Sequence, residues 1–267
     1  MSGRSTDDPA ATAAATRREP TEAAVRDRLD RVTDPELDES IVALEYIDEI
    51  AIEGETVTVD FTLPTAWCSP AFAWMMATDA RDEIETLESV DTATIRLHEH
   101  MHETEITEGV NQRQSFAETF PDADGGVAEI RATLDQKARL ARQYEAINAL
   151  TDAGLDPEQI VDLTEPDIEL SDESAIVYVR NSAVAVAVSR EPIAEYLQKA
   201  RTVGLYREEE PVFRDPEGEP IDPERFAVVQ KRARLASVNM SGQGNICDAL
   251  NEARRAEDRP PLSELDH

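Results

Sequence analysis

The chain has 267 residues, with 26 Lys and Arg against 57 Asp and Glu, a formal net charge of −31 at pH 7. That length suits two modest domains, or one domain with long extensions. A field of this sign repels nucleic-acid backbones and anionic membrane surfaces, which argues against both as partners.

No apolar run approaches the ~20 residues that span a bilayer, and the stretch MSGRSTDDPAATAAATRREP has no hydrophobic signal core. Cys68 and Cys247 are the only cysteines. Two cysteines make no disulfide framework, and without an export signal they are expected to be reduced in the cytoplasm. Lysine is confined to Lys137, Lys199 and Lys231, and the acids are spread along the whole chain rather than blocked. This composition fits a halophilic protein of a salt-loaded cytoplasm, where screening offsets self-repulsion. The alternative is an acidic surface built for a basic partner.

Residues 1–19 are small and polar and read as a disordered tail. From Thr21, which can cap, the pattern turns helical, with Val25, Leu29 and Val32 on one face and Pro35 as the stop. Leu44, Tyr46, Ile50 and Ile52 then mark one strand, and Val57, Val59, Phe61 and Leu63 alternate in a second, with Gly54 in the hairpin between them. CSPAFAWMMATDARDEIETL reads as a helix with Ser69 at the cap and Pro70 in the first turn. TATIRLHEHMH reads as a third strand, with Ile95, Leu97 and Met101 on one face and Arg96, His98, His100 and His102 on the other. The first unit is therefore α-β-β-α-β over residues 20–106, and residues 107–126, with Gly125 and Gly126, form a connector.

Residues 127–267 read as a mainly helical domain. A long amphipathic helix ends at Gly154. AIVYVRNSAVAVAVS gives a short β-hairpin joined near Asn181 and Ser182, and EPIAEYLQKARTVGL is helical. After the turn-rich DPEGEPIDPERF, the SGQG stretch reads as a turn and Asn245 as the cap of a short last helix. SGQGNIC resembles half of a phosphate loop but lacks the third glycine and the strand–turn–helix context. The whole is an α+β protein.

An antiparallel hairpin followed by a helical crossover brings the end of strand two, the end of strand three and the entry to strand one to one rim. That rim carries Asp34 and Glu36 from DPE, Cys68 from WCSP, and the histidines of LHEHMH. Cys68 precedes the Ser-Pro that opens a helix, where free N–H groups and the helix dipole favour a thiolate able to bind a soft metal or accept sulfur. It reads equally as a small buried apolar residue. The histidines read either as a solvated strand end or, with Cys68 and a carboxylate, as a mixed ligand set for a borderline metal. Asp34 and Glu36 serve equally as turn and cap residues. There is no Walker A motif, GxSxG, HExxH or CxxC, so nucleotide hydrolysis and acyl transfer are poorly supported.

The segment DPELDESIVALEYIDEIAIEGETVTVDFTLPTAWCSP resembles the small iron–sulfur-assembly domain typified by SufT and PaaD. Asp34, Pro35, Glu36 and Cys68 match that motif position by position. Cys68 is followed by Ser69-Pro70, where the shorter members usually have Cys-Pro directly. The resemblance covers residues 22 to about 100. LPTAWCSPAFAWMMATDARDEI, the His-bearing strand end and the segment Ser241 to Cys247 are similar to a longer branch found beside bacterial binuclear-iron monooxygenases.

The resemblance implies an accessory role in maturing iron–sulfur clusters or iron sites, and implies that Cys247 joins Cys68. Together with the convergence on the rim, the expectation is transient ligation of a cluster, iron or zinc by Cys68, His100, His102 and Cys247, supported by Asp34, Glu36 and His98. The implied partners are a scaffold or a client metalloprotein such as an oxygenase. The rival readings are a thiol- or metal-dependent enzyme using Cys68 as nucleophile, and a non-catalytic adaptor.

Overall fold

The computed structural model describes residues 19–123, 126–179, 183–205, 207 and 209–257. The fold is mixed, about 50% helical, with several small sheets and a helical C-terminal part. The expected tail (1–19) falls almost wholly, and the hairpin tip near Asn181 and Ser182 wholly, outside the described residues.

The first domain begins with α1 (Glu22–Leu29), capped by the Thr21 hydroxyl, which accepts from the Ala24 amide. A miniature hairpin follows, β1 (Thr33–Asp34) against β2 (Glu39–Ser40). β3 (Ile47–Glu53) and β4 (Thr56–Thr62) pair antiparallel through a turn in which Gly54 takes φ +63. α2 (Pro70–Glu85) crosses over, and β5 (Thr92–His98) returns parallel to β4 with Val57 beside Ala93 and Phe61 beside Leu97. Alternation decides which face is buried: Val57, Val59, Phe61, Ala93, Ile95 and Leu97 all turn toward α1 and α2. There they meet Val25, Leu29, Trp74, Ala77 and Ile84.

Three expectations for this domain change. Leu44 and Tyr46 lie before the first long strand, in a turn where Glu45 takes φ +56 and the Tyr46 amide returns to the Ile41 carbonyl. Strand β5 ends at His98, because Glu99 takes φ +54 and breaks the two-residue period. His100 therefore turns inward and is buried, whereas Met101, expected on the core face, is exposed. The stretch expected as a connector instead contributes most of α3 (Glu103–Asn111) and all of α4 (Phe116–Thr119). Ile106 and Val110 belong to the first core, and Phe116, Phe120 and Val127 pack against it. Gly109 permits this, since a Cβ there would sit 2.8 Å from the Trp74 ring.

The second core forms around α5 (Val127–Asp152), α6 (Pro157–Val161), and a sheet of β6 (Ile168–Leu170), β7 (Ser174–Val179) and β8 (Val184–Ser189). The hairpin expected here is thus a three-stranded sheet, with β6 added antiparallel to β7. α7 (Arg190–Thr202) packs Ile193, Tyr196 and Leu197 into the same core.

The last element corrects the reading of SGQG. α8 (Phe226–Glu257) runs unbroken through Ser241–Gly244, so there is no turn there and Asn245 caps nothing. Tertiary anchorage on both sides of the glycines overrides their low helix propensity. Val229, Ala233 and Ala236 are buried on the near side, Asn251 bonds to the first domain on the far side, and Gln243 does so from between the glycines.

The two domains meet across buried charge. Asp38, whose side chain is 6% exposed, accepts from Arg142 Nε of α5 at 2.5 Å and from Lys199 Nζ of α7 at 2.8 Å. Lys199 also pairs with Asp135 at 2.7 Å, and Arg131 of α5 binds Asp79 of α2 through two hydrogen bonds.

Candidate functional site

The loop between β4 and α2 carries Cys68, and its shape is set from two sides. Within the loop, the Cys68 amide donates to the Thr65 carbonyl at 3.3 Å. From the β5 end, the Met101 amide donates to the Ala66 carbonyl at 3.1 Å. His100 completes the clamp: Nδ1 accepts from the His102 amide at 3.1 Å, so Nε2 carries the proton and donates to the Cys68 carbonyl at 2.9 Å. Both ring nitrogens are thereby engaged. Trp67, next to Cys68 in the loop, and Met101, whose amide holds Ala66, are both exposed apolar side chains.

The carboxylate side of the rim is built by the β1–β2 hairpin. Asp34 Oδ1 accepts from the amides of Glu36 (2.8 Å) and Leu37 (3.2 Å), an Asx turn that fixes the DPE stretch. Its other oxygen accepts from the Tyr46 hydroxyl at 3.3 Å. Burial raises the Asp34 pKa, against the lowering effect of these bonds.

Burial and the neighbouring charges of Asp34, Cys247 and Cys68 push the Tyr46 phenol far upward, so it stays a donor. Cys68 is raised too, first by burial and then by Asp34 and Glu36, with a backbone hydrogen bond at Thr65 working the other way. The thiolate expected from the helix start is thus outweighed; at rest Cys68 is a protonated, half-buried thiol.

α8 brings the C-terminal segment to the same rim. Gln243 Nε2 donates to Glu36 Oε1 at 2.6 Å, and its Oε1 accepts from Lys137 Nζ at 2.8 Å. Asn251 Nδ2 donates to the Leu44 carbonyl at 3.0 Å. Cys247 lies one helical turn beyond Gln243, close enough to Tyr46 to act on its phenol.

The structure therefore gathers Asp34, Glu36, Cys68, His100 and Cys247 around Tyr46 and the Cys68 loop. One sequence candidate stands apart: His98 Nε2 lies 2.5 Å from Asp60 Oδ1 on the outer face of the sheet. His102, the residue before α3, is beside His100 with ring centroids 6.2 Å apart, but its ring also lies edge-on to Phe120 at 5.3 Å and its Nδ1 is 3.6 Å from Glu105 Oε1, too far for a hydrogen bond. Among the described residues, no three His, Cys, Asp or Glu side chains are grouped so as to hold a metal ion.

Sequence reasoning missed Tyr46, Gln243, Lys137 and Asp38. Gln243 was within reach: had residues 241–257 been read as helix, Gln243 and Cys247 would fall on one face.

Residues 22–95 match the family model described as iron-sulfur cluster assembly protein. The matched span supports that family for the first domain; it takes in Asp34, Glu36, Tyr46 and Cys68 and stops within β5, before His98. A search of curated proteins finds no match. Among the described residues no helix is long and apolar enough to cross a membrane.

Proposed function

We propose that this chain is an accessory factor of the SufT/PaaD type, acting in iron–sulfur cluster or iron-site maturation. It takes up its cargo transiently at the Cys68 rim and docks scaffold or client metalloproteins, with an oxygenase as one candidate client. The observation that carries the reading is the family match over the segment that builds the rim. In support, Cys68 is half-buried beside two exposed apolar side chains, Trp67 and Met101, and this suits hand-over to a partner better than turnover inside a closed cavity.

The chemistry follows from the protonated Cys68 thiol. A cation arriving beside it offsets the effect of desolvation and of the neighbouring carboxylates, so binding releases the thiol proton and tightens as pH rises. Cys68 and Cys247 are the soft ligands in this reading. His100 would have to leave two hydrogen bonds before it could ligate, and His102 keeps a ring nitrogen with no hydrogen-bond partner. Remaining coordination positions fall to the scaffold or client, which makes the bound state labile.

Anaerobic reconstitution with ferric and ferrous iron and sulfide, followed by absorption spectra and metal analysis, tests this. Cluster bands and bound iron in the native chain, lost in Cys68→Ser and reduced in Cys247→Ser, are expected. Equal iron content in all three chains would remove the reading.

A further inference from the structure

α8 is one helix with two different footings. Its proximal half buries Val229, Ala233 and Ala236, and Met240 packs beside Leu140 and Ala141 of α5. Beyond Met240, no described residue of α8 belongs to a hydrophobic cluster. The distal half instead reaches the first domain through Gln243 to Glu36, Asn251 to the Leu44 carbonyl, and Arg254 to Asp48 at 3.8 Å. Its large apolar side chains Ile246 and Leu250 are exposed.

The change of footing falls at Ser241-Gly242-Gln243-Gly244. A Cβ at Gly242 or Gly244 would meet no atom within 4 Å, so neither glycine answers a packing need. Neither takes a positive φ. Each weakens the helix relative to alanine without a steric return, and Gly/Ser pairs are among the few places where helices bend sharply. Glu36, which Gln243 holds, neighbours Cys68, and Tyr46 is within electrostatic reach of both Cys247 and Cys68.

We propose that the distal half of α8 is a hinged cover, which bends at Gly242–Gly244 to uncover the Cys68 rim and carries Cys247 to and from it. The inference deepens the function proposed above and depends on it only for what the uncovered rim receives. Its polar latch fits such a role, because hydrogen bonds exchange for water at small net cost on opening, whereas an apolar seal would hold the cover shut. Opening is then a local event, distinct from global unfolding.

Thiol accessibility reads the hinge with no metal present. The full chain is treated with N-ethylmaleimide at fixed pH, and modification of Cys68 is followed by peptide mass spectrometry. The chains compared are the native protein, Gly242→Ala/Gly244→Ala, and Gln243→Ala. The double alanine variant is expected to slow Cys68 labelling about ten-fold, each stiffened position making opening rarer by a factor of a few. Gln243→Ala, which removes the latch bond to Glu36 and the bond from Lys137, is expected to speed it about five-fold.

Equal rates in the three chains overturn the proposal. So does a Gln243→Ala rate that rises only in step with lost global stability in urea. Iron and sulfide uptake by the same chains is a separate readout. Labelling that follows the hinge in a protein that takes up no iron upholds the cover and removes the functional reading. Iron uptake with no hinge response does the reverse.

Discussion

The His100 Nε2–H donates to the carbonyl oxygen of Cys68 at 2.9 Å, and the other ring nitrogen accepts from the His102 amide. In the resting fold this imidazole holds the thiol's own backbone in place. Replacing His100 by Ala leaves a part-buried carbonyl and an amide without these partners. A loss of about 2 kcal/mol is expected, on the scale of buried groups stripped of their partners. Urea unfolding measures it, and an unchanged midpoint in His100→Ala would show that the clamp is not needed.

The pH dependence of stability has a definite sign. Folding raises the Cys68 pKa above its ordinary value of 9.0, so the native state holds its proton more tightly than the unfolded chain. Stability is therefore full below that value and falls as pH climbs from it toward the folded pKa. Melting temperatures between pH 7 and pH 10.5 should decline more steeply in the native chain than in Cys68→Ser. Parallel declines would place the alkaline loss elsewhere.

Asp38 is the hub of the contact between the domains. Asp38→Asn leaves Arg142 and Lys199 in a buried setting with one fewer carboxylate. Breaking a buried pair on one side costs about 3–5 kcal/mol. Calorimetry should show a lower melting temperature or two separated transitions. A single transition at the native temperature would mean that the apolar contacts of α5 suffice.

A net charge of −31 repels itself when screening is removed. If the acidic composition is an adaptation to salt, the melting temperature should rise steadily with added KCl. A flat series would favour a surface made for a basic partner.

Much of the first domain was legible because its signals are local and periodic. The alternation of Val57, Val59 and Phe61, the turn at Gly54 and the Ser69-Pro70 helix start all follow from neighbouring residues. Legibility fails where a single backbone angle breaks the period. Glu99 at φ +54 sends His100 inward, and nothing in LHEHMH announces it. It fails again where distant contacts decide the outcome. Ser241–Gly244 looks like a turn in sequence, yet contacts with residues some 100 to 200 positions away hold it helical. For the site, the motif residues Asp34, Glu36 and Cys68 could be picked out, but Tyr46 was read only as a strand residue.

α5 touches both cores, and this bears on how the small domain can be used. On one side it supplies Arg131 to Asp79 and Arg142 to Asp38; on the other it gives Ala146, Ile147 and Leu150 to the second core. The segment matched to the assembly family ends long before this helix begins. Cut loose after residue 120, that segment would lose the cations that pair with Asp38 and Asp79, along with the Gln243 bond to Glu36. Arg131, Arg142 and Lys199 of the second domain are thus the local counter-ions of Asp79 and Asp38 in the first.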